Sequence, residues 1–276
     1  MGEGCRPRLP RVKFAPVSAE DVALAVCRFV NERPAAKQAQ TLYHRVVGNR
    51  FVQACIGRRI RAHGLERVID MHPDRGVLLC ANHRSFFDQY AIMSILYSEA
   101  HWPRRVYFPV RSNYFYEEWS GLLVNGLIGG FVMYPPIYRD TARASENKMS
   151  IEKLAEVLSE PGTVVGMHPE GTRGKGSDPY QLLPAQPGIG QIIMRARPIV
   201  LPAFIHGLGN DMAQEIRDNY KRPPANPIHV VFGDPVDFGA LLEGSPRPAQ
   251  YKRVADRVLA AVAALGEQER QLRVQS

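Results

Sequence analysis

The chain has 276 residues, 45% hydrophobic and 22% charged, a mixture that excludes a disordered protein and can fill the core of one large domain. Lys and Arg number 35 against 27 Asp and Glu. The resulting net charge of +8 favours an anionic partner, whether a phosphorylated substrate, a lipid headgroup surface or nucleic acid, and does not choose among them.

In chain order, the opening residues MGEGCRPRLPRVKFAP carry charge and proline but no apolar stretch, so no signal peptide is expected. From Ser18 the run S-A-E-D-V-A-L-A-V has a capping-box pattern (Ser18, Asp21) ahead of apolar residues and predicts a helix start. A second helix is predicted over 36–62, with Val52, Ile56 and Ile60 at four-residue spacing among Arg45, Arg50, Arg58, Arg59 and Arg61. Such a basic amphipathic helix can lie on an anionic bilayer, or it can pack one face on the core with its arginines in solvent. After Gly64, short apolar runs at 76–82, 105–110, 131–134, 163–167, 198–205 and 228–233 predict strands, and 86–98, 141–158, 188–195 and 248–265 predict helices. Strands alternating with helices imply an α/β fold, a central sheet flanked by helices and preceded by an N-terminal helical segment. The segment 121–138 is about one membrane span long, but its four glycines and the Pro135-Pro136 pair argue for a buried strand and turn. Cys5, Cys27, Cys55 and Cys80 lie far apart with no C-x-x-C pair, which points to thiols in a reducing compartment.

Two polar motifs follow predicted strands. GVLLCA runs into Asn82-His83-Arg84-Ser85-Phe86-Phe87-Asp88. In open α/β sheets ligands bind outside the carboxyl ends of strands, which suits a histidine here to chemistry. On a continuous helix His83 and Asp88 would point about 140° apart. They meet only if His83 lies in the loop and Asp88 in the first helical turn, with Ser85 reading as the N-cap. Asp88 would then fix the tautomer of His83, whose other nitrogen could take a proton from a hydroxyl. The same Ser85-x-x-Asp88 spacing is also an ordinary capping pattern. The second motif, His168-Pro169-Glu170-Gly171-Thr172-Arg173-Gly174-Lys175, follows TVVGM. Its two cations and glycines suit a phosphate, although the spacing is not that of a P-loop. A structural Glu170–Arg173 ion pair in a surface turn is the plainer alternative.

Together, N-H-x4-D and P-E-G-T-R resemble the 1-acyl-glycerol-3-phosphate (lysophosphatidic acid) acyltransferases and their glycerolipid acyltransferase relatives. Gly130-Phe131 with Arg139 is similar to a further acceptor-binding block, and Ile199–Gly207 to an apolar, proline-containing block near the acyl chain. The resemblance implies the glycerolipid acyltransferase fold, with a catalytic domain over 64–276 and a membrane-contacting helical segment over 1–63. His83 would be the general base, Asp88 its orienting partner, and Arg173 with Arg139 the acceptor's phosphate ligands. Glu170, Gly171 and Thr172 would belong to the same pocket, Glu170 organising it. It further implies acyl transfer from acyl-CoA or acyl carrier protein to a lysophospholipid hydroxyl, no bound cofactor and no metal, and a membrane-associated enzyme on the cytoplasmic side. His168 replaces the family's usual aromatic, Gly174 a common Ser, and the block around Arg139 carries extra residues and a Pro-Pro. These departures bear on the acceptor more than on the reaction.

Two other classes compete. A metal-dependent hydrolase could use His83, Asp88, His168 and Glu170 as ligands. A non-catalytic basic protein would explain the charge but not two polar motifs at strand ends, and no helix-turn-helix, zinc-finger or RNA-binding signature supports nucleic acid. His206, beside the apolar block, is either a wall of an acyl pocket or a satisfied buried histidine.

Overall fold

The computed structural model describes residues 18–112, 116, 121, 123–138 and 140–274. Helix α1 (Ala19–Glu32) begins at the expected capping box: Ser18 Oγ accepts from Asp21 N and an Asp21 carboxylate oxygen accepts from Ser18 N, both at 3.1 Å. Helix α2 (Pro34–Tyr43), with proline in its first turn, passes through a π-helical turn (His44–Gly48) into α3 (Asn49–Ile56). The helix predicted over 36–62 therefore stops early, and Ile60–His63 form β1 instead. Arg59 supplies the physical reason. Its buried guanidinium donates to the Glu215 carboxylate at 2.6 Å and to the Asn226 and Gly207 carbonyls, which draws the chain to the sheet edge.

The remaining strands are β2 (Val77–Ala81), β3 (Arg105–Tyr107), β4 (Val110–Arg111), β5 (Pro136–Ile137), β6 (Thr163–Met167), β7 (Ile199–His206) and β8 (Ile228–Phe232). Six of them form one mixed sheet in the order β1-β8-β7-β2-β6-β3, parallel throughout except where β7 meets β8. The predicted strand at 131–134 is not one. Phe131 has φ 65°, the residues after it are buried outside any ladder, and only the next pair, β5, joins β4.

Both faces of the sheet are covered, which is why its central strands read as continuous apolar runs. Val77, Leu79 and Ala81 of β2 face one core with α3 and α4 (Asp88–Glu99). Leu78 and Cys80 face the other, built with α5 (Ala144–Val157), α6 (Pro187–Ala196) and α8 (Pro248–Val274). The last helix outruns its predicted end at 265, and its final turns reach back over β7. A further helix, α7 (Met212–Tyr220), is short and polar and gave no apolar period, yet Asp211 caps it by accepting from Ala213 N and Gln214 N. Cys27, Cys55 and Cys80 are buried free thiols. No helix among the described residues is long and apolar enough to cross a membrane.

Candidate active site

Three loops leave the carboxyl ends of the adjacent parallel strands β6, β2 and β7, and they meet. The β2 loop carries His83, the β6 loop runs through the glycines that follow His168, and the β7 loop runs from Gly207 to Asn210. His83 lies in the loop and Asp88 is the first residue of α4, so the two side chains face each other with His83 Nδ1 3.1 Å from Asp88 Oδ2. That oxygen also accepts from the backbone N–H groups of Arg84 (2.7 Å) and Ser85 (2.8 Å). Ser85 is not the N-cap: Phe87 occupies that position, and Ser85 Oγ donates to the Gly209 carbonyl at 2.5 Å. With Nδ1–H committed to the carboxylate, Nε2 of His83 carries the lone pair.

The two sequence motifs are locked to each other through the backbone of His83. Glu170 is buried and accepts from His83 N (2.8 Å) with one oxygen and from Leu183 N (2.7 Å) with the other. Gly174 N donates to the His83 carbonyl at 2.9 Å. Glu170 thus makes no ion pair with Arg173 among the described contacts; it holds the second loop against the first. Gly171 turns the chain at φ 62°, a conformation that favours glycine, and its carbonyl accepts from Arg111 at 2.6 Å. Thr172 follows, half-buried. Arg173 lies over the Phe86 ring at 3.6 Å and donates to Asn210 Oδ1 at 3.0 Å. Arg139 lies outside the described residues.

Arg173 opens into a cleft of about 410 Å³ that Arg84, Lys175 and Asn210 also line. A second cavity of about 410 Å³ shares Arg84 and Leu208 with this cleft and is also lined by Asp88, Ile205 and His206. Arg84, Arg111 and Asn210 escaped the sequence reading because no motif marks them. Only the N-H-R context of Arg84, next to the base, was a usable signal. The Arg59–Glu215 pair is a hidden support: Arg59 binds the Gly207 carbonyl at 3.0 Å and Glu215 accepts from Gly209 N at 3.0 Å, fixing the β7 loop. His206 is half-buried rather than buried; it lines this second cavity and bonds Tyr180 and Glu269.

The electrostatics suit a base that is neutral at physiological pH. Burial, reinforced by the Arg173 and Arg111 cations, pushes His83 down to about 3. Burial pushes the Asp88 carboxyl up to about 6, against the pull of His168, its backbone donors and Arg173. At pH 7 the dyad is therefore carboxylate plus neutral imidazole. The His168 ring stacks on that of His83, centroids 3.8 Å apart and planes within 7°. Its Nδ1 lies 3.0 Å from both the Ala81 and Asn82 carbonyls.

His83, Asp88 and His168 each offer a ligand atom within 4.8 Å of the others. A metal ion sits in the plane of each imidazole that binds it, and two parallel stacked rings share no such plane. A ring would have to rotate before both imidazoles could serve one ion.

Fold and site together define a class: an α/β protein with a histidine–aspartate dyad at the carboxyl ends of its parallel strands, beside a cationic cleft. Residues 59–206, more than half of the chain, match the family model described as Acyltransferase, and the chain belongs to that family. A solved structure with the same fold is the 1-acyl-sn-glycerophosphate (LPA) acyltransferase PlsC from Thermotoga maritima. It aligns at a TM-score of 0.50 and 15% identity over 90% of this chain and 87% of that one. No curated protein sequence matches the chain.

Proposed function

We propose that this acyltransferase moves a fatty acyl group from a thioester, carried by coenzyme A or acyl carrier protein, to the free hydroxyl of a lysophospholipid, first of all 1-acyl-glycerol 3-phosphate. The observation that carries the reading is the His83–Asp88 pair, 3.1 Å apart, next to a cleft lined by Arg84, Arg173 and Lys175. A phosphomonoester held by those cations would bring a nearby hydroxyl to His83 Nε2. The hydroxyl oxygen attacks the thioester carbonyl while its proton passes to His83. The carbon–sulfur bond then breaks, and the leaving thiolate takes the proton from His83. The attacking oxygen comes from the substrate, in keeping with a Ser85 hydroxyl that is already bonded to Gly209 and with Cys27, Cys55 and Cys80, the described cysteines, being buried.

The test is acyl transfer by purified protein, with acyl-CoA or acyl carrier protein as donor and 1-acyl-glycerol 3-phosphate, other lysophospholipids or glycerol 3-phosphate as acceptor. Transfer to the first acceptor, with an acceptor KM that rises on Arg173→Ala, is the expected result. Transfer to a different acceptor moves the substrate but keeps the chemistry, and no transfer with any pair refutes the reading.

A lipid acceptor also calls for a membrane surface. The N-terminal helices expose Val22, Val26 and Phe29 along α1 and Leu42, Val46, Val47 and Phe51 beyond it, with Leu123 and Leu127. Leu42 and Leu127 are 62% and 65% exposed. Arg28 and Arg50 are exposed on the same helices and Arg33 in the bend between α1 and α2. Apolar side chains interleaved with arginines suit peripheral attachment to anionic lipid on the cytoplasmic side. Arg59 takes no part, being buried in its pair with Glu215. Sedimentation with anionic vesicles, lost in a Phe29→Asp/Leu127→Asp variant, is the expected behaviour.

A further inference from the structure

We propose that His168 is a positioning residue for the base: its ring fixes the plane in which His83 presents Nε2 to the acceptor hydroxyl. The proposal rests on the functional reading above and adds to it a residue that neither the family pattern nor the dyad accounts for.

One hydrogen bond does not orient an imidazole. The bond from His83 Nδ1 to Asp88 sets the direction of one ring atom and leaves the ring free to tilt about that axis. A parallel ring at 3.8 Å removes the tilt, because rotation out of the stack would drive one edge of His83 into His168. The supporting ring is itself held. Its Nδ1–H donates to the Ala81 and Asn82 carbonyls, the last residue of β2 and the first of the loop that carries His83. Both rings therefore ride on one frame. The second loop grips His83 at three points: His168 on its face, Glu170 on its N–H and Gly174 on its carbonyl.

An imidazole in this place differs from a phenyl ring in its tether and from an aliphatic side chain in its flat face. Burial and the neighbouring His83 hold His168 down to about 3, so it stays neutral and puts no fixed positive charge against His83 when His83 takes up the substrate's proton. The stack thus steers the base without opposing its protonation.

The variants are His168→Leu, which fills the space without a plane, and His168→Phe, which keeps the plane without the tether. Both are compared with wild type in the transfer assay, with thermal melting to establish folding. A misplacement of about 1 Å at a reacting group can cost ~10²-fold in rate. His168→Leu should accordingly lower kcat by ~10- to 100-fold with both KM values little changed. His168→Phe should recover most of that loss. In a His83→Ala background, His168→Leu should cost nothing further, since the base it positions is gone. Equal kcat for the Leu and Phe variants overturns the proposal. So does wild-type kcat in the Leu variant, or a loss that persists without His83. If wild type shows transfer that depends on His83 and His168→Leu leaves it intact, the positioning role alone fails. If wild type shows no transfer, both readings fail together.

Discussion

His83 and His206 stand at the ends of neighbouring strands, and each turns Nδ1 to a carboxylate that the fold has buried, at 3.1 Å for Asp88 and 3.3 Å for Glu269. The resemblance ends with the partners each carboxylate has. Asp88 is bonded by His83 and two backbone N–H groups, and burial dominates, pushing its carboxyl up to about 6. Burial acts on Glu269 in the same sense. There, hydrogen bonds from His206, Tyr180 and Arg273 outweigh it and hold the carboxyl down at about 2. Tyr180 comes from the loop after Lys175 and Arg273 from the end of α8, where its Nε lies 2.8 Å from Glu269. Glu269 is thus a satisfied clamp, joining β7, the β6 loop and the last helix. Asp88 is an anion kept in a site that resists it, beside an imidazole that burial keeps neutral.

Breaking each pair should separate chemistry from stability. The largest effect expected is that of His83→Ala, a loss of ~10²–10⁴ in kcat with the melting temperature unchanged. Asp88→Asn comes next: kcat falls as the ring loses its anionic partner, while thermal melting at pH 7 shows stability equal to wild type or higher, because the amide removes a buried charge. Glu269→Ala should do the reverse. It strands Arg273, Tyr180 and His206, costs ~3 kcal/mol in denaturant unfolding, and changes kcat of the folded enzyme far less than either dyad substitution. A Glu269 variant that is as stable as wild type but inactive would erase the distinction drawn here.

The smallest effect, and the most diagnostic, is with pH. Transfer should fall as pH drops through about 6, where the His83–Asp88 dyad takes up a proton. Linkage gives the two carboxylates opposite signs. Glu269 is ionised more readily in the folded chain, so its stabilisation is present above its ordinary value of 4.5 and is lost as pH falls toward 2. Asp88 is ionised less readily, so its contribution improves as pH falls from about 6 to its ordinary 3.8. His83 and His168, held down to about 3, pull the other way, because the unfolded chain protonates them below about 6.5. Comparing wild type with Asp88→Asn and Glu269→Ala in chemical unfolding across this range isolates each carboxylate.

What was legible beforehand lay close together along the chain. A strand running into N-H-x4-D, a second strand running into H-P-E-G-T-R, and alternating apolar runs were enough to place His83, Asp88, Glu170 and Arg173 at strand ends and to imply a covered sheet. The capping box at Ser18 was equally local. The misplaced pieces were those in which a distant partner overrode local pattern. Arg59, met by Glu215, turned the end of a predicted helix into β1, and Phe131 with its prolines took 131–134 out of the sheet. The Tyr180–His206–Glu269 clamp and the Asn210 contacts to Arg173 and Arg84 join segments with no common motif.

The sequence by itself determined the family, because a histidine, an aspartate and an arginine loop need only a few residue types at short spacing after a strand. Only the tertiary structure decided how those residues are held. Which carboxylate is hydrogen-bonded to an arginine and which is not, which ring lies against His83, and which backbone donors lock the two loops all depend on which strands become neighbours, and the order β7-β2-β6 is a property of the folded sheet.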